Sequence, residues 1–249
     1  MDLQLRDRVI LVTGASRGLG AAMAVALAAE GATVVAAARS TQALADVAAR
    51  GEGRITAIEV DMRDEARVAG LVDEVVSRFG RIDGLVNNAG IAPAGKFVDQ
   101  DPEIWKETLA VNVFAPMLLA QAAGRHMIAQ GGGKIVNIAS TTGVRGKPQL
   151  VGYSTSKGAI VRFTEALAAE WASKNVQVNC VAPGAFRTDA QRAVLESEDL
   201  LRRRIAKIPA GRIAEPEELV PLVCLLLSPL SSFTTGAIFV VDGGESGKL

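Results

Sequence analysis

The sequence predicts an α/β protein, one domain spanning residues 1–249, built on a doubly wound parallel sheet with helices on both faces. Three observations predict it. Strand-like and helix-like segments alternate from end to end, the order that winds a parallel sheet. The strand-like segments are continuous apolar runs, as expected where both sheet faces are covered. With 249 residues the chain can bury one large core and does not require a second.

The first run, Arg8-Val9-Ile10-Leu11-Val12-Thr13, breaks into Gly14-Ala15-Ser16-Arg17-Gly18-Leu19-Gly20 and then an alanine-rich helix through Glu30, ended by Gly31. A strand, a glycine turn and a helix start make a phosphate cradle, because glycines let the backbone approach an anion and the helix N-terminus presents N–H groups. The spacing is GxxxGxG. Such a turn alone can be a plain strand–helix connection, and its place directly after the first strand is what favours a cofactor.

Thr33 to Ala38 forms the second strand. An acidic residue near its end would hold a free ribose 2′-hydroxyl, but here Ala38 is followed by Arg39-Ser40. An arginine fork suits a phosphate, so Arg39, helped by Arg17, predicts NADP (NADPH) over NAD; the plainer alternative is two solvated arginines.

A helix from Gln42 to Arg50 leads to a strand from Arg54 to Val60, which ends in Asp61-Met62. Asp61, at the ligand end of the sheet, either accepts from an adenine amino group or opens the helix region from Asp64 to Phe79. The fourth strand, Gly84-Leu85-Val86, runs into Asn87-Asn88-Ala89-Gly90, which suits a tight turn and also a backbone passing close to a ribose. A long apolar helix is expected from Glu103 to about Gln130. It carries Asn112, a mediocre helix former that can open the helix locally and hold a water.

Strand Lys134 to Ala139 presents Ser140, and a loop from Thr141 to Leu150 delivers the chain to the helix of Tyr153. Strand Val176 to Val181 ends in Ala182-Pro183-Gly184-Ala185-Phe186-Arg187-Thr188. The charged stretch that follows, to about Gly211, is either a lid over roughly 187–211 or a solvated helix face. A last helix (Pro216 to Leu227) and strand (Ala237 to Val241) close the pattern.

Tyr153 and Lys157 carry the chemistry. Positions i and i+4 share a helix face, so phenol and ammonium lie about one turn apart. A free phenol, pKa near ~10, is a poor base, and an adjacent cation lowers that value. A tuned tyrosine can trade a proton with a carbonyl or alcohol oxygen. In isolation the pair would be an ordinary surface contact, although Tyr153 is the only tyrosine in the chain.

Twenty-seven basic and 27 acidic residues cancel, so nothing points to nucleic acid or an anionic membrane. No apolar run approaches the ~20 residues of a membrane span, and the first residues carry charge in place of an apolar signal core. A cytoplasmic protein is expected. Cys180 and Cys224 fall in apolar runs and read as buried thiols of a reducing compartment. The lone His126 argues against a metal.

With these residues in place the chain resembles the short-chain dehydrogenase/reductase family over nearly its whole length. The matching pieces are Thr13-Gly14-Ala15-Ser16-Arg17-Gly18-Leu19-Gly20, Asn87-Asn88-Ala89-Gly90, Asn112, Ser140, Tyr153 with Lys157, and Pro183-Gly184 with Thr188. The resemblance implies a seven-stranded Rossmann-like sheet, usually in a homotetramer that packs the helices of Asn112 and Tyr153 against a neighbour.

It also implies roles. Tyr153 is the general acid in reduction and the base in oxidation, Ser140 hydrogen-bonds the substrate oxygen, and Asn112 holds a relay water. Lys157 lowers the tyrosine pKa and binds the nicotinamide ribose, Thr188 meets the carboxamide, and Asp61 meets the adenine. Met62, Pro183, Gly184 and Phe186 join the glycine turn, Arg39 and Asn88-Ala89-Gly90 in lining the cofactor.

The substrate is a small ketone or secondary alcohol. The segments Glu170-Trp171-Ala172, Pro183 to Thr188 and Ile208-Pro209-Ala210-Gly211-Arg212 are similar to gluconate 5-dehydrogenases and related sugar-acid or polyol enzymes. The glycine turn and Arg39 sit equally well with 3-oxoacyl-carrier-protein reductases. Arg145 and Arg187 lie where they could meet a substrate carboxylate or face water. A non-catalytic NADP-binding protein would be expected to lose the serine, tyrosine or lysine, and all three are present.

Overall fold

A computed structural model describes residues 1–247. The seven strands are β1 (Val9–Thr13), β2 (Thr33–Ala38), β3 (Ile55–Glu59), β4 (Gly84–Asn87), β5 (Gly133–Ile138), β6 (Val176–Pro183) and β7 (Ile238–Val241). They form one sheet in the order β3-β2-β1-β4-β5-β6-β7. All neighbouring pairs are parallel, with Leu11 on β1 between Val35 and Leu85, and Asn137 on β5 between Asn87 and Cys180. This is the expected Rossmann-like sheet. The winding reverses between β1 and β4, which opens a crevice at the carboxyl ends of the strands.

The helices are α1 (Gly18–Ala29), α2 (Thr41–Ala49), α3 (Glu65–Phe79), α4 (Pro102–Leu109) and α5 (Ala115–Ala129), then α6 (Thr141–Val144), α7 (Val151–Trp171), α8 (Arg192–Leu195), α9 (Glu198–Ile205) and α10 (Val220–Leu227). Strand side chains alternate, so β1 sends Ile10 and Val12 to a core shared with α1, α2 and α10. It sends Val9 and Leu11 to a second core with α3 and α5. Both cores are apolar packing, which explains why the strand runs read as continuously apolar.

Two differences from the sequence reading, and one stretch it left open, bear on the site. The helix expected over Glu103 to Gln130 is two helices joined by a π turn at Ala110–Phe114. The stretch expected as a loop after Ser140 contains α6, capped by the Ser140 hydroxyl, which accepts from Thr142 N at 3.2 Å. The charged stretch after Thr188 folds into α8 and α9 around a small core of its own, in which Leu195, Leu201 and Ile205 pack on Ala185, Ile208 and Ile213. Arg202 and Arg203 stay on its outer side, whereas Arg204 is 14% exposed and pairs with Glu245 at 2.5 Å.

No helix among the described residues is long and apolar enough to cross a membrane. Cys180 and Cys224 are buried free thiols, and burial holds them near 11 and 12. His126 joins α5 to α3 through Asp73 at 2.7 Å.

Candidate active site

The glycine turn is held from behind by β4 and its exit. The Thr13 hydroxyl donates to Val86 O and accepts from the backbone N–H groups of Asn88 (3.0 Å) and Ala89 (3.1 Å). The Asn88 carboxamide donates to the carbonyls of Thr13 (2.9 Å) and Gly14 (3.3 Å). Gly14 has φ +64°, and a Cβ on it would sit 2.8 Å from Ala89 Cα. At Gly20 a Cβ would lie 2.2 Å from Gly14 O, so the two glycines close the turn against each other.

Gly20→Ala is therefore expected to cost at least about 1–3 kcal/mol of overpacking, a fall of several degrees in Tm by thermal denaturation. A wild-type Tm would show that the turn has room the backbone does not display.

The first turn of α1 has no side-chain cap and no acidic residue. Its leading N–H groups thus lack both an intrahelical partner and a competing carboxylate, and face the crevice as donors. The bare backbone of Gly14 to Gly20 fits a pyrophosphate.

Across the crevice, Ser140, Tyr153 and Lys157 are brought together by β5 and α7. Thr142 Oγ1 lies 3.1 Å from Ser140 Oγ. Lys157 is 4% exposed, its Nζ donates to Ile138 O at 2.8 Å, and it stands 5.8 Å from the centre of the Tyr153 ring. Burial pushes the ammonium down to about 8. The half-buried Tyr153 phenol is shifted the other way, raised by burial and only partly lowered by its hydrogen bond to Ser140.

Asn112 sits in the π turn and is 1% exposed. Its Oδ1 accepts from Ile91 N (2.9 Å), and its Nδ2 donates to Ile91 O (2.9 Å) and Ser156 Oγ (3.0 Å). Ser156 in turn donates to Tyr153 O at 2.7 Å. The carboxamide ties the strand exit at Gly90-Ile91 to the helix of Tyr153, and a Cβ on Gly90 would meet Asn112 Oδ1 at 3.2 Å and Lys157 Nζ at 3.4 Å. Ser156 and Ile91 could not be found from sequence, since nothing in their spacing distinguishes them.

A family model described as enoyl-(acyl carrier protein) reductase matches residues 14–246, which includes Gly14 to Gly20, Asn112, Ser140, Tyr153 and Lys157. The chain belongs to the short-chain dehydrogenase/reductase family. It is 39% identical over 98% of its length to a 3-oxoacyl-[acyl-carrier-protein] reductase of Aquifex aeolicus, of which it covers 99%. It is 38% identical over 99% of its length to an NAD-dependent glycerol dehydrogenase of Listeria innocua, of which it covers 97%. A crystal structure of a gluconate 5-dehydrogenase from Burkholderia cenocepacia, in complex with NADP and tartrate, superposes with a TM-score of 0.94. That protein is 35% identical, with coverage of 100% of this chain and 98% of the other.

As a short-chain dehydrogenase/reductase the chain is an oxidoreductase acting on CH–OH groups with a nicotinamide cofactor. Its remaining predicted residues divide into two groups. Arg39 and Ser40 are exposed at the end of β2, and Ser40 caps α2 by accepting from Ala43 N. Asp61 is held below the usual carboxylate range, chiefly by its hydrogen bonds with Arg63. Helix α3 is capped by Asp64, not Asp61. Phe186 is buried on the α1–α10 side of the sheet, and a Cβ on Gly184 would meet Asp242 at 2.6 Å. Thr188 approaches the turn, its Cγ2 3.2 Å from where a Cβ on Gly18 would be.

Arg187 pairs with Glu215 at 2.8 Å and lines a cavity of about 560 Å³ beside the glycine turn, between α1, α2 and α8. Arg17 reaches the same cavity and pairs with Asp189 at 3.5 Å. Arg145 is exposed at the end of α6.

Proposed function

We propose that the enzyme interconverts a ketone and a secondary alcohol with NADP(H), using Tyr153 as general acid in reduction and general base in oxidation, on a sugar-acid or polyol substrate. The observation that carries this reading is the half-buried phenol of Tyr153, beside Ser140 and over the buried ammonium of Lys157. Bound nicotinamide supplies or accepts the hydride. The protein manages one proton.

In reduction, Ser140 donates to the substrate oxygen and Tyr153, kept protonated by its raised pKa, delivers the proton to it. The resulting phenolate lies next to Lys157, whose charge stabilises it. With the Asn112 carboxamide committed to Ile91 and Ser156, a relay water falls to the main chain of the π turn, where the i→i−4 ladder is interrupted. Lys157 also binds the nicotinamide ribose, and Thr188 meets the carboxamide. Asp61 and Met62 would hold the adenine of a bound cofactor.

Arg39 and Arg17 favour NADP because neither side chain has a tight carboxylate partner. Arg17 has only the exposed 3.5 Å contact with Asp189, and Arg39 has none among the described residues. Arg39→Asp is expected to lower kcat/KM for NADPH by at least about tenfold, the loss of one charge-assisted contact, and to improve NADH relative to it. Unchanged cofactor selectivity in initial-rate assays would remove the assignment.

The sugar-acid reading draws on the gluconate 5-dehydrogenase neighbour, and a second reading, reduction of a 3-oxoacyl thioester, draws on the Aquifex aeolicus relative. Rates of NADPH oxidation with 5-ketogluconate and with an acetoacetyl thioester separate them. Turnover of the keto acid alone supports the first, and turnover of the thioester alone supports the second. As in its family, the chain is expected to work as a cytoplasmic homotetramer, with α5 and α7 against a neighbour; Phe114 and Met117 at the start of that surface are exposed.

A further inference from the structure

At the opposite end of the sheet, where strands begin, lies a cleft of about 250 Å³ that the catalytic reading does not use. Lys134, the second residue of β5, points into it with 8% of its surface exposed. Its ammonium has a single contact, to Ser231 Oγ at 3.5 Å, and no carboxylate among the described residues lies within ion-pair reach. Ser231 shares its one hydroxyl proton between Leu226 O and Ser228 O, and meets the lysine only through a lone pair at that long distance, without charge.

The charged lining is completed by Arg8, Arg81 and Asp83. Asp83 is 7% exposed and its carboxylate is fully used, accepting from Val9 N (2.9 Å), Arg8 Nη1 (3.1 Å), Arg81 Nε (2.8 Å) and Arg81 Nη2 (2.6 Å). Three cationic side chains therefore face one saturated anion. Both arginines keep unused guanidinium N–H donors, and the lysine keeps at least two. Gln177, the β6 register partner of Lys134 and 6% exposed, adds a buried amide beside it.

A buried cation without a counter-ion is costly, and both burial and the neighbouring charge of Arg8 push Lys134 down to about 8. Arginine forks and an ammonium converging on one small space are the donor set of an oxyanion.

We propose that this cleft is a second anion site, binding a compact phosphate-type dianion between Lys134, Arg8 and Arg81, separate from the crevice that takes the cofactor. Asp83 is the built part of the site. It fixes the two guanidinium groups in place and leaves their outer donors turned to the anion.

The test is thermal denaturation of the enzyme saturated with NADP, so that the glycine turn is filled, in inorganic phosphate against chloride at matched ionic strength. Phosphate is expected to raise Tm saturably, by about 3–6 °C at ten times Kd. Lys134→Met should abolish that response and Arg81→Gln should weaken it at least about tenfold in Kd. The general salting effect of phosphate is not saturable and is shared by all variants. Replacing an unpaired buried ammonium with an apolar chain of similar length should not weaken the fold. If Lys134→Met nevertheless fails to fold, Arg81→Gln decides alone. A wild-type response no greater than that in chloride, or an undiminished response in both variants, would overturn the site.

Discussion

Tyr153→Phe is expected to lower kcat by about 10²- to 10⁴-fold, the range a positioned proton donor contributes, while leaving Tm within a few degrees of wild type. The phenol hydroxyl holds no buried carbonyl or charge among the described residues, so its removal frees none. The affinity for NADPH, read by fluorescence titration, should change little. A variant that turned over as fast as wild type would end the proton-transfer role of Tyr153.

Lys157→Met is expected to reduce kcat/KM by about 10²-fold or more while making the protein more stable near neutral pH. The ordinary lysine pKa of 10.5 is lowered to about 8 by burial. That difference corresponds to about 3 kcal/mol against burying the charged form. Removing the ammonium also deprives Ile138 O of a donor, at a cost of about 1 kcal/mol, so the variant should gain on balance. Since the folded pKa lies below the unfolded one, the unfolded chain binds more protons between pH 8 and 10.5. Wild-type stability therefore rises through that window and the advantage of Met fades across it. Denaturant unfolding at pH 7 and pH 10 measures this, and an equal or growing advantage at pH 10 would contradict it. A site residue whose loss strengthens the fold is kept for its chemistry.

Much of this was legible in the sequence. Continuous runs such as Val9 to Thr13 have one physical explanation, a parallel strand covered on both faces, and the glycine turn, Ser140 and Tyr153 fall at strand ends or helix starts that local chemistry announces. What could not be read was pairing across long separations. Thr13 meets Asn88, 75 residues later, and Asn112 meets Ser156, 44 residues later. These contacts depend on sheet order and helix docking, which no local pattern encodes. The oddity of Asn112 was visible, but the site's use of it was not: its carboxamide clamps two chain segments. Charges were hardest to place, since Arg187 is fixed by Glu215 and Arg145 has no such anchor among the described residues.

The π turn has a further consequence for how this chain can vary in length. Relative to a regular helix it holds one surplus residue, and one residue rotates everything beyond it by about 100° around the helix axis. Deleting one of Ala110 to Phe114 would give a smoother helix with better backbone bonding. It would also swing either the side chains of α4 away from α7 or the apolar face of α5 off the sheet, since both helices are already docked. Chains aligned to this one without a gap through that stretch should therefore keep the irregularity, and a single-residue shortening there should be tolerated only with a compensating insertion within the same joined helix.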